Sequence, residues 1–312
     1  MSIEKSNSCF ESFKGVHKNQ TLFIIGNGPS LSETNLDLIK DSPSIAMNRI
    51  SLIYSKFPKW RPTYYIFCST NIFNPIWGKE WSNSVIEALS DERTISFIDK
   101  KSFDFLSLPK LLNKNIRVIN KLTENKPNLD GEINPKSFSI DILKSIDKSG
   151  STINLALQIA FYMQPKDIVF LGTDLGWAAN NGKKVDNNHF DKSYRAHIPD
   201  PIKVNLQMRN IHKLSLKNFK RHLPLVKFYN ASKKTKLDIY PIIDFEEYVL
   251  NGKVVEKREM LLNAKNYWKG LKKGNRLLVK LRRYIFRLKE KLAFFKKKYL
   301  NFLLILKNFL FE

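Results

Sequence analysis

The sequence predicts an α/β fold: a mainly parallel sheet with helices on both faces, followed by a C-terminal basic amphipathic helical tail. Three observations predict it. Short apolar runs bounded by Gly, Pro or polar clusters recur between Thr21 and Leu171 and read as buried strands. Segments with helical spacing fall between them, and strand–helix alternation implies parallel crossovers. Finally, Lys265 to Lys298 holds 14 Lys/Arg and one acid, Glu290, so this stretch carries +13 of the chain's +24.

Residues 1–20 form a polar lead-in with a short helix at most. TLFIIG is the first strand, and NGPSLSETNLDLI follows as a tight turn into a helix, with Pro29 suited to its first turn and Leu31, Leu36 and Ile39 facing inward. SIAMNR, TYYIFCST, TISFID and IRVIN supply four further strands, separated by helical or irregular stretches. Lys121 to Pro135 is rich in Asn, Lys and Pro and reads as a surface loop. STINLALQIAFYM is a helix after the Ser149-Gly150 turn, and DIVFLGTDLGW is a strand opening into a Gly-rich loop. Residues 21–250 form the catalytic domain on this reading, and residues 251–312 the tail. In the tail Leu277, Leu278, Leu281, Ile285, Leu288, Leu292 and Phe295 mark one face of a helix, with Lys and Arg around the rest.

At 312 residues the chain has ample length for a buried core, and 43% hydrophobic with 26% charged residues is an ordinary globular composition that excludes wholesale disorder. The charge is the outlier, and it calls for a polyanion nearby. A basic amphipathic helix with Leu and aromatic content suits an anionic membrane surface, where each Lys or Arg adds about 1 kcal/mol. Nucleic acid is disfavoured, because the charge is concentrated at one end and no nucleic-acid-binding signature occurs. A homo-oligomer stays open. The two cysteines, Cys9 and Cys68, have no zinc spacing and suit a reducing compartment. No apolar signal core or run of eighteen apolar residues occurs, so the expected location is cytoplasmic, peripheral at the inner face of the membrane.

Two motifs stand at strand ends. Gly26-Asn27-Gly28-Pro29-Ser30-Leu31 follows the first strand, where glycines admit a phosphate or ribose close to the backbone. It lacks the third glycine of a dinucleotide fingerprint and the Gly-Lys-Ser/Thr of a Walker loop. Asn48 ends the second strand, and Ser69, Thr70 and Asn71 end the third; ligands of open α/β sheets bind beyond such carboxyl ends. Gly172-Thr173-Asp174-Leu175-Gly176-Trp177 is the second motif, and His189-Phe190-Asp191 follows it. A buried Asp174 needs a partner, either a loop or a ligand hydroxyl. His189, in a polar loop, is a candidate general base. No Asp-x-Asp, HExxH or GxSxG occurs, which disfavours the usual metal-dependent sugar transferases and α/β hydrolases; no metal ligands are expected.

Taken together, FIIGNGPSL, Met47-Asn48-Arg49, Lys148-Ser149-Gly150-Ser151-Thr152 and IVFLGTDLGW with NNHF resemble the MptE-like Rossmann proteins, formerly a domain of unknown function. They are also similar to the related bacterial sialyltransferases that modify lipooligosaccharides. The resemblance covers roughly residues 20 to 245 and implies a Rossmann-like fold. It implies that Asn27, Gly28 and Asn48 bind the nucleotide; Gly26, Pro29, Ser30, Thr173, Ser69 and Asn71 are further binding candidates from their places at the strand ends. It further implies that Ser149 and Gly150 line the donor site and that His189 is the base. Those enzymes hold the departing phosphate with tyrosines after Gly-x-Asp; this chain has no Tyr there before Tyr194, and Lys183, Lys184 or Arg195 would take that role through charge-assisted bonds.

The expectation is a metal-independent inverting glycosyltransferase of sialyltransferase type, without a cofactor. It would use a nucleotide-sugar donor, a CMP-linked acidic sugar, and a glycan or glycolipid acceptor of surface polysaccharide synthesis, with His189 and Asp174 at the chemistry. Two alternatives remain: an MptE-like 6-hydroxymethylpterin diphosphokinase using ATP and magnesium, and a non-catalytic nucleotide- or nucleic-acid-binding protein.

Overall fold

The computed structural model describes residues 10–106, 115–128, 131–178, 180–181, 185–194, 197–198 and 200–271. In chain order the strands are β1 (Thr21–Ile25), β2 (Ser44–Met47), β3 (Tyr64–Phe67), β4 (Ile95–Asp99), β5 (Ile116–Ile119), β6 (Leu122–Thr123), β7 (Ile146–Asp147), β8 (Asp167–Leu171), β9 (Asn180–Asn181), β10 (His197–Ile198) and β11 (Lys227–Asn230). Seven of them form one sheet in the order β11-β8-β1-β2-β3-β4-β5, every neighbouring pair parallel. The helices that flank the sheet include α1 (Gly78–Ser90), α2 (Lys100–Phe105), α3 (Thr152–Met163), α4 (Pro201–His222) and α5 (Phe245–Asn251).

Strand residues alternate between two covered faces, as the apolar runs require. On one face Phe23, Ile25, Tyr65, Phe67, Val169 and Leu171 join a core with Trp81, Val85, Ala88 and Leu89 of α1. On the other, Phe170 stands 5.1 Å from the His212 ring of α4. Helix α3 touches β2, β3 and α4. Every residue of α3 is buried, which explains why its sequence is apolar on all sides. Its buried amides tie it to the neighbouring loop: Asn154 donates to the Ser137 and Asp147 carbonyls, and Gln158 donates to the Asp147 carbonyl while accepting from the Ser139 and Asp147 N–H groups. The same α/β architecture with a mainly parallel, helix-covered sheet is the one the sequence predicts.

Three local differences have physical causes. The segment after β1 is two 3-10 turns, Pro29–Glu33 and Leu36–Ile39, rather than one helix. Thr34 is extended between them, and the Asn35 side chain accepts from the Asp37 N–H, the local competition by which short polar side chains interrupt helices. Within Lys121 to Pro135, β6 pairs in parallel with β7, so that segment is partly ordered by the sheet-like bridge. Residues 10–20 pack on the sheet: Phe10 and Phe13 lie 5.6 and 5.5 Å from Phe97, and His17 Nε2 lies 2.9 Å from the Tyr64 hydroxyl.

The chain divides into two compact units, residues 1–264 and 265–312. Of the second, residues 265–271 are described and helical. The expected amphipathic face from Leu277 to Phe295 lies outside the described residues. Among the described residues no helix is long and apolar enough to cross a membrane.

Candidate functional site

The strand order reverses between β1 and β8: the chain runs outward from β1 to β5 and then returns to the other side of β1. A crevice opens at the carboxyl ends of such a pair. Both glycine motifs lie at that point, because Ile25 pairs with Leu171 at the ends of the two strands. The Gly26 N–H donates to the Leu171 carbonyl (2.8 Å) and the Gly28 N–H to the Gly172 carbonyl (2.7 Å). A Cβ on Gly26 would stand 2.5 Å from the Gly172 oxygen, and one on Gly28 would stand 2.5 Å from Asp174 Oδ2. These glycines therefore let the two loops approach each other, a different requirement from the ligand approach expected of them.

Asp174 is the clasp between these loops. Its Oδ2 accepts the Ser30 N–H (2.7 Å) and its Oδ1 accepts the Ser30 hydroxyl (2.5 Å), and the residue is 4% exposed. Burial raises its carboxyl pKa above the ordinary value, while the Ser30 bonds pull the other way. Asp174 thus has the loop partner that the sequence demanded of it. Pro29 opens the first 3-10 turn and Ser30 is fully buried, so both serve the loop.

Two adjoining cavities of about 580 and 830 Å³ open at this crevice and share Asn48, Ser151, Thr152, Trp177, His189 and Tyr194. Gly26, Asn27, Gly28, Thr173 and Asp174 line the smaller, whereas Ser69, Asn71 and Gly150 line the larger. Asn27 donates through Nδ2 to the Met47 carbonyl (3.1 Å), and its own carbonyl accepts the Phe190 N–H (3.0 Å). Its Oδ1 is buried without a hydrogen-bond partner. Asn48 adopts a left-handed conformation (φ +55°). Its side-chain oxygen accepts from the Thr152 hydroxyl (3.2 Å) and its carbonyl from the Tyr65 hydroxyl (2.5 Å), bonds that hold the turn.

His189 lines both cavities. Its Nδ1 lies 3.0 Å from Asp186 Oδ2, and Asp186 Oδ1 accepts the Asn188 N–H (2.8 Å). An ionised carboxylate only accepts, so Nδ1 is the donor in this bond, and in the neutral ring the lone pair is on Nε2. The ring is stacked on Tyr194 with centroids 3.9 Å apart and planes 3° apart, and its side chain is only 8% exposed. Burial, foremost, pushes the Tyr194 hydroxyl far above its ordinary pKa. Arg49, itself 4% exposed, fixes this loop by donating to the Ser193 and Tyr194 carbonyls, each at 2.8 Å, and to the Ser84 hydroxyl. Its guanidinium also sits 5.8 Å from the Trp81 and Tyr194 ring centroids.

The structure thus brings His189 to the glycine loops, Asn48 and the start of α3. It does not bring Ser149 with them: that hydroxyl donates to Asp147 (2.6 Å) and the residue is fully buried, leaving Gly150, Ser151 and Thr152 at the cleft. Lys183 and Arg195 lie outside the described residues. Sequence reasoning missed Asp186, for which Asp-x-x-His was the available signal, and the anchoring of the Ser193–Tyr194 loop by Arg49. Among the described residues no group of three or more His, Cys, Asp or Glu side chains could hold a metal ion.

No family model and no curated protein matches the chain. Among solved structures it is similar to the sialyltransferase CstII from Campylobacter jejuni in complex with a substrate analogue, cytidine-5'-monophosphate, at 14% identity, over 69% of this chain and 81% of that one, with a TM-score of 0.34. At that overlap the functional reading rests on the cleft itself.

Proposed function

We propose that the cleft is the active site of a glycosyltransferase that uses a nucleotide-sugar donor, a CMP-linked acidic sugar, and a glycan or glycolipid acceptor of surface polysaccharide synthesis. The observation that carries this reading is the Asp186–His189 pair opening onto the same cleft as the glycine loops and the amino terminus of α3. Asn27 Oδ1 offers an acceptor to a ribose hydroxyl, and Asn48 shapes the wall beside it. The acceptor hydroxyl gives its proton to His189 Nε2 as it attacks the anomeric carbon, and Asp186 stabilises the imidazolium that forms. Stacking on Tyr194 and the Arg49 anchor hold the ring in place before substrate arrives. Inversion follows from a single displacement on the face opposite the nucleotide.

The tail completes the reading: its excess of Lys and Arg would hold the enzyme at an anionic leaflet where a lipid-linked acceptor resides. Thermal-shift measurements with CMP, UDP, GDP and ATP, each with and without magnesium, test the donor class. CMP should stabilise the protein without magnesium, by about 2.7 kcal/mol at a hundredfold excess over Kd. Stabilisation by ATP with magnesium alone would favour diphosphate transfer instead.

A further inference from the structure

The reaction proposed above leaves a phosphate with negative charge developing on the oxygen released, and the cleft contains one place equipped to receive it. Lys148 lines the larger cavity beside Ser151, Thr152, Trp177 and His189, and it is the one Lys or Arg among the described residues lining either cavity. No carboxylate pairs with its ammonium among the described residues. Its backbone N–H is held by the Thr123 carbonyl (2.9 Å), so the side chain leaves from a fixed point. Cys68, at the carboxyl end of β3, lines the same cavity; burial pushes its thiol up to about 12 and the Lys148 charge acts against that.

Helix α3 begins at the same wall. Its twelve residues carry no acid in the first turn, and Ser151 at its cap makes no side-chain capping bond; the Ser151 hydroxyl points instead to Met208 Sδ (3.2 Å). Thr152 and Ile153 of that first turn line the smaller cavity, and the unpaired N–H groups of a helix start attract anions. Two residues lining this cavity carry buried polar atoms without a partner. Asn27, nine-tenths buried, has an unpartnered Oδ1, and Trp177 has an unpartnered buried Nε1–H. Trp177 is held by its backbone, since Asn205 Oδ1 accepts the Gly176 and Trp177 N–H groups (2.8 and 3.1 Å) and Asn205 Nδ2 donates to the Trp177 carbonyl (3.0 Å).

We propose that Lys148, the Trp177 indole N–H and the first turn of α3 together bind the leaving phosphate of the donor. The inference rests on the nucleotide-sugar reading and specifies its leaving-group site. The bond from the anomeric carbon to the phosphate oxygen breaks, and its electron pair stays on that oxygen. The acceptor oxygen bonds the anomeric carbon, and its proton passes to His189 Nε2. One ammonium, one indole N–H and the helix end offset the charge on the nucleoside monophosphate released.

Calorimetric titration of the full chain with CMP and with cytidine tests this. Lys148→Met should weaken CMP binding by about 10- to 100-fold and change cytidine binding by less than about twofold, because a bond to a charged group is lost only where the phosphate is present. Trp177→Phe should weaken CMP in the same selective way, and Lys148→Arg should restore most of the affinity. Equal CMP affinity in Lys148→Met and wild type, or equal loss of CMP and cytidine, would overturn the assignment while leaving the nucleotide reading intact. If wild type binds none of CMP, UMP, GMP and AMP, the nucleotide reading itself fails and this assignment falls with it.

Discussion

His189 is where residue chemistry and residue packing meet. The sequence placed it in a polar loop, where an imidazole is ordinarily solvated; instead its ring is stacked on Tyr194 and bonded to Asp186. Because the ring also fills space, His189→Ala would mix lost chemistry with lost packing. Asp186→Asn is the cleaner test of the pair. It should lower turnover by about 10²–10⁴ while CMP affinity is unchanged, since the amide no longer fixes the imidazole tautomer or stabilises its charge. Steady-state rates beside calorimetric CMP titration check this, and turnover near wild type would remove Asp186 from the mechanism. Gly28 is a second residue whose reading changes. Its Cβ would collide with Asp174 Oδ2 and the Gly172 carbonyl, so Gly28→Ala should cost about 1–3 kcal/mol of stability before any ligand is added. An unchanged urea midpoint for that variant would contradict the loop-to-loop explanation. Asp186 was signalled only by its Asp-x-x-His spacing, and the Gly28–Asp174 contact not at all, because it joins groups whose proximity depends on how two loops meet.

At the scale of elements, α4 carries a buried histidine that reports on packing against the sheet. His212 is 1% exposed, with Nδ1 3.1 Å from the Tyr240 hydroxyl and its ring against Phe170. Burial holds its pKa at about 3, so it stays neutral in the folded protein. The unfolded chain takes up that proton near pH 6.5. Stability from the neutral ring is therefore present above about pH 6.5 and is lost as pH falls toward 3. His212→Gln, which has no proton to gain, should lose this acid dependence. Urea midpoints at a series of pH values should show wild type and variant converging as pH falls; a constant gap would contradict the assignment. Elements built on long apolar runs were readable in advance: β1 to β5, β8 and α3 follow their sequence segments closely. Those without such a run were not. Edge strand β11 is only four residues, KFYN, with Lys227 exposed, and the turns after β1 depend on Thr34 and Asn35 rather than on periodicity.

For the molecule as a whole, the charge is divided as unevenly as the chemistry. Residues 265–298 carry +13, and the rest of the chain +11. Ending the chain after residue 271 keeps every described residue and removes 12 of the 14 Lys and Arg residues between 265 and 298. That form should remain folded yet no longer sediment with anionic vesicles, whereas binding of the full chain should weaken as salt rises and screens the charges. Equal sedimentation of both forms would contradict a tail anchor. The position of the cleft was legible from strand-end motifs, since β1 and β8 each end in a glycine loop at the point where strand order reverses. Which polar atoms remain unpaired there, Asn27 Oδ1 and Trp177 Nε1, emerges only from three-dimensional packing. The central claim is that this cleft transfers a sugar from a nucleotide with His189 as base. Its most direct test is the rate of CMP release from a CMP-linked acidic sugar by wild type and His189→Asn. Wild type should release CMP, and the variant should bind CMP equally well but turn over at least about 10²-fold more slowly. Comparable release by the two proteins would contradict it.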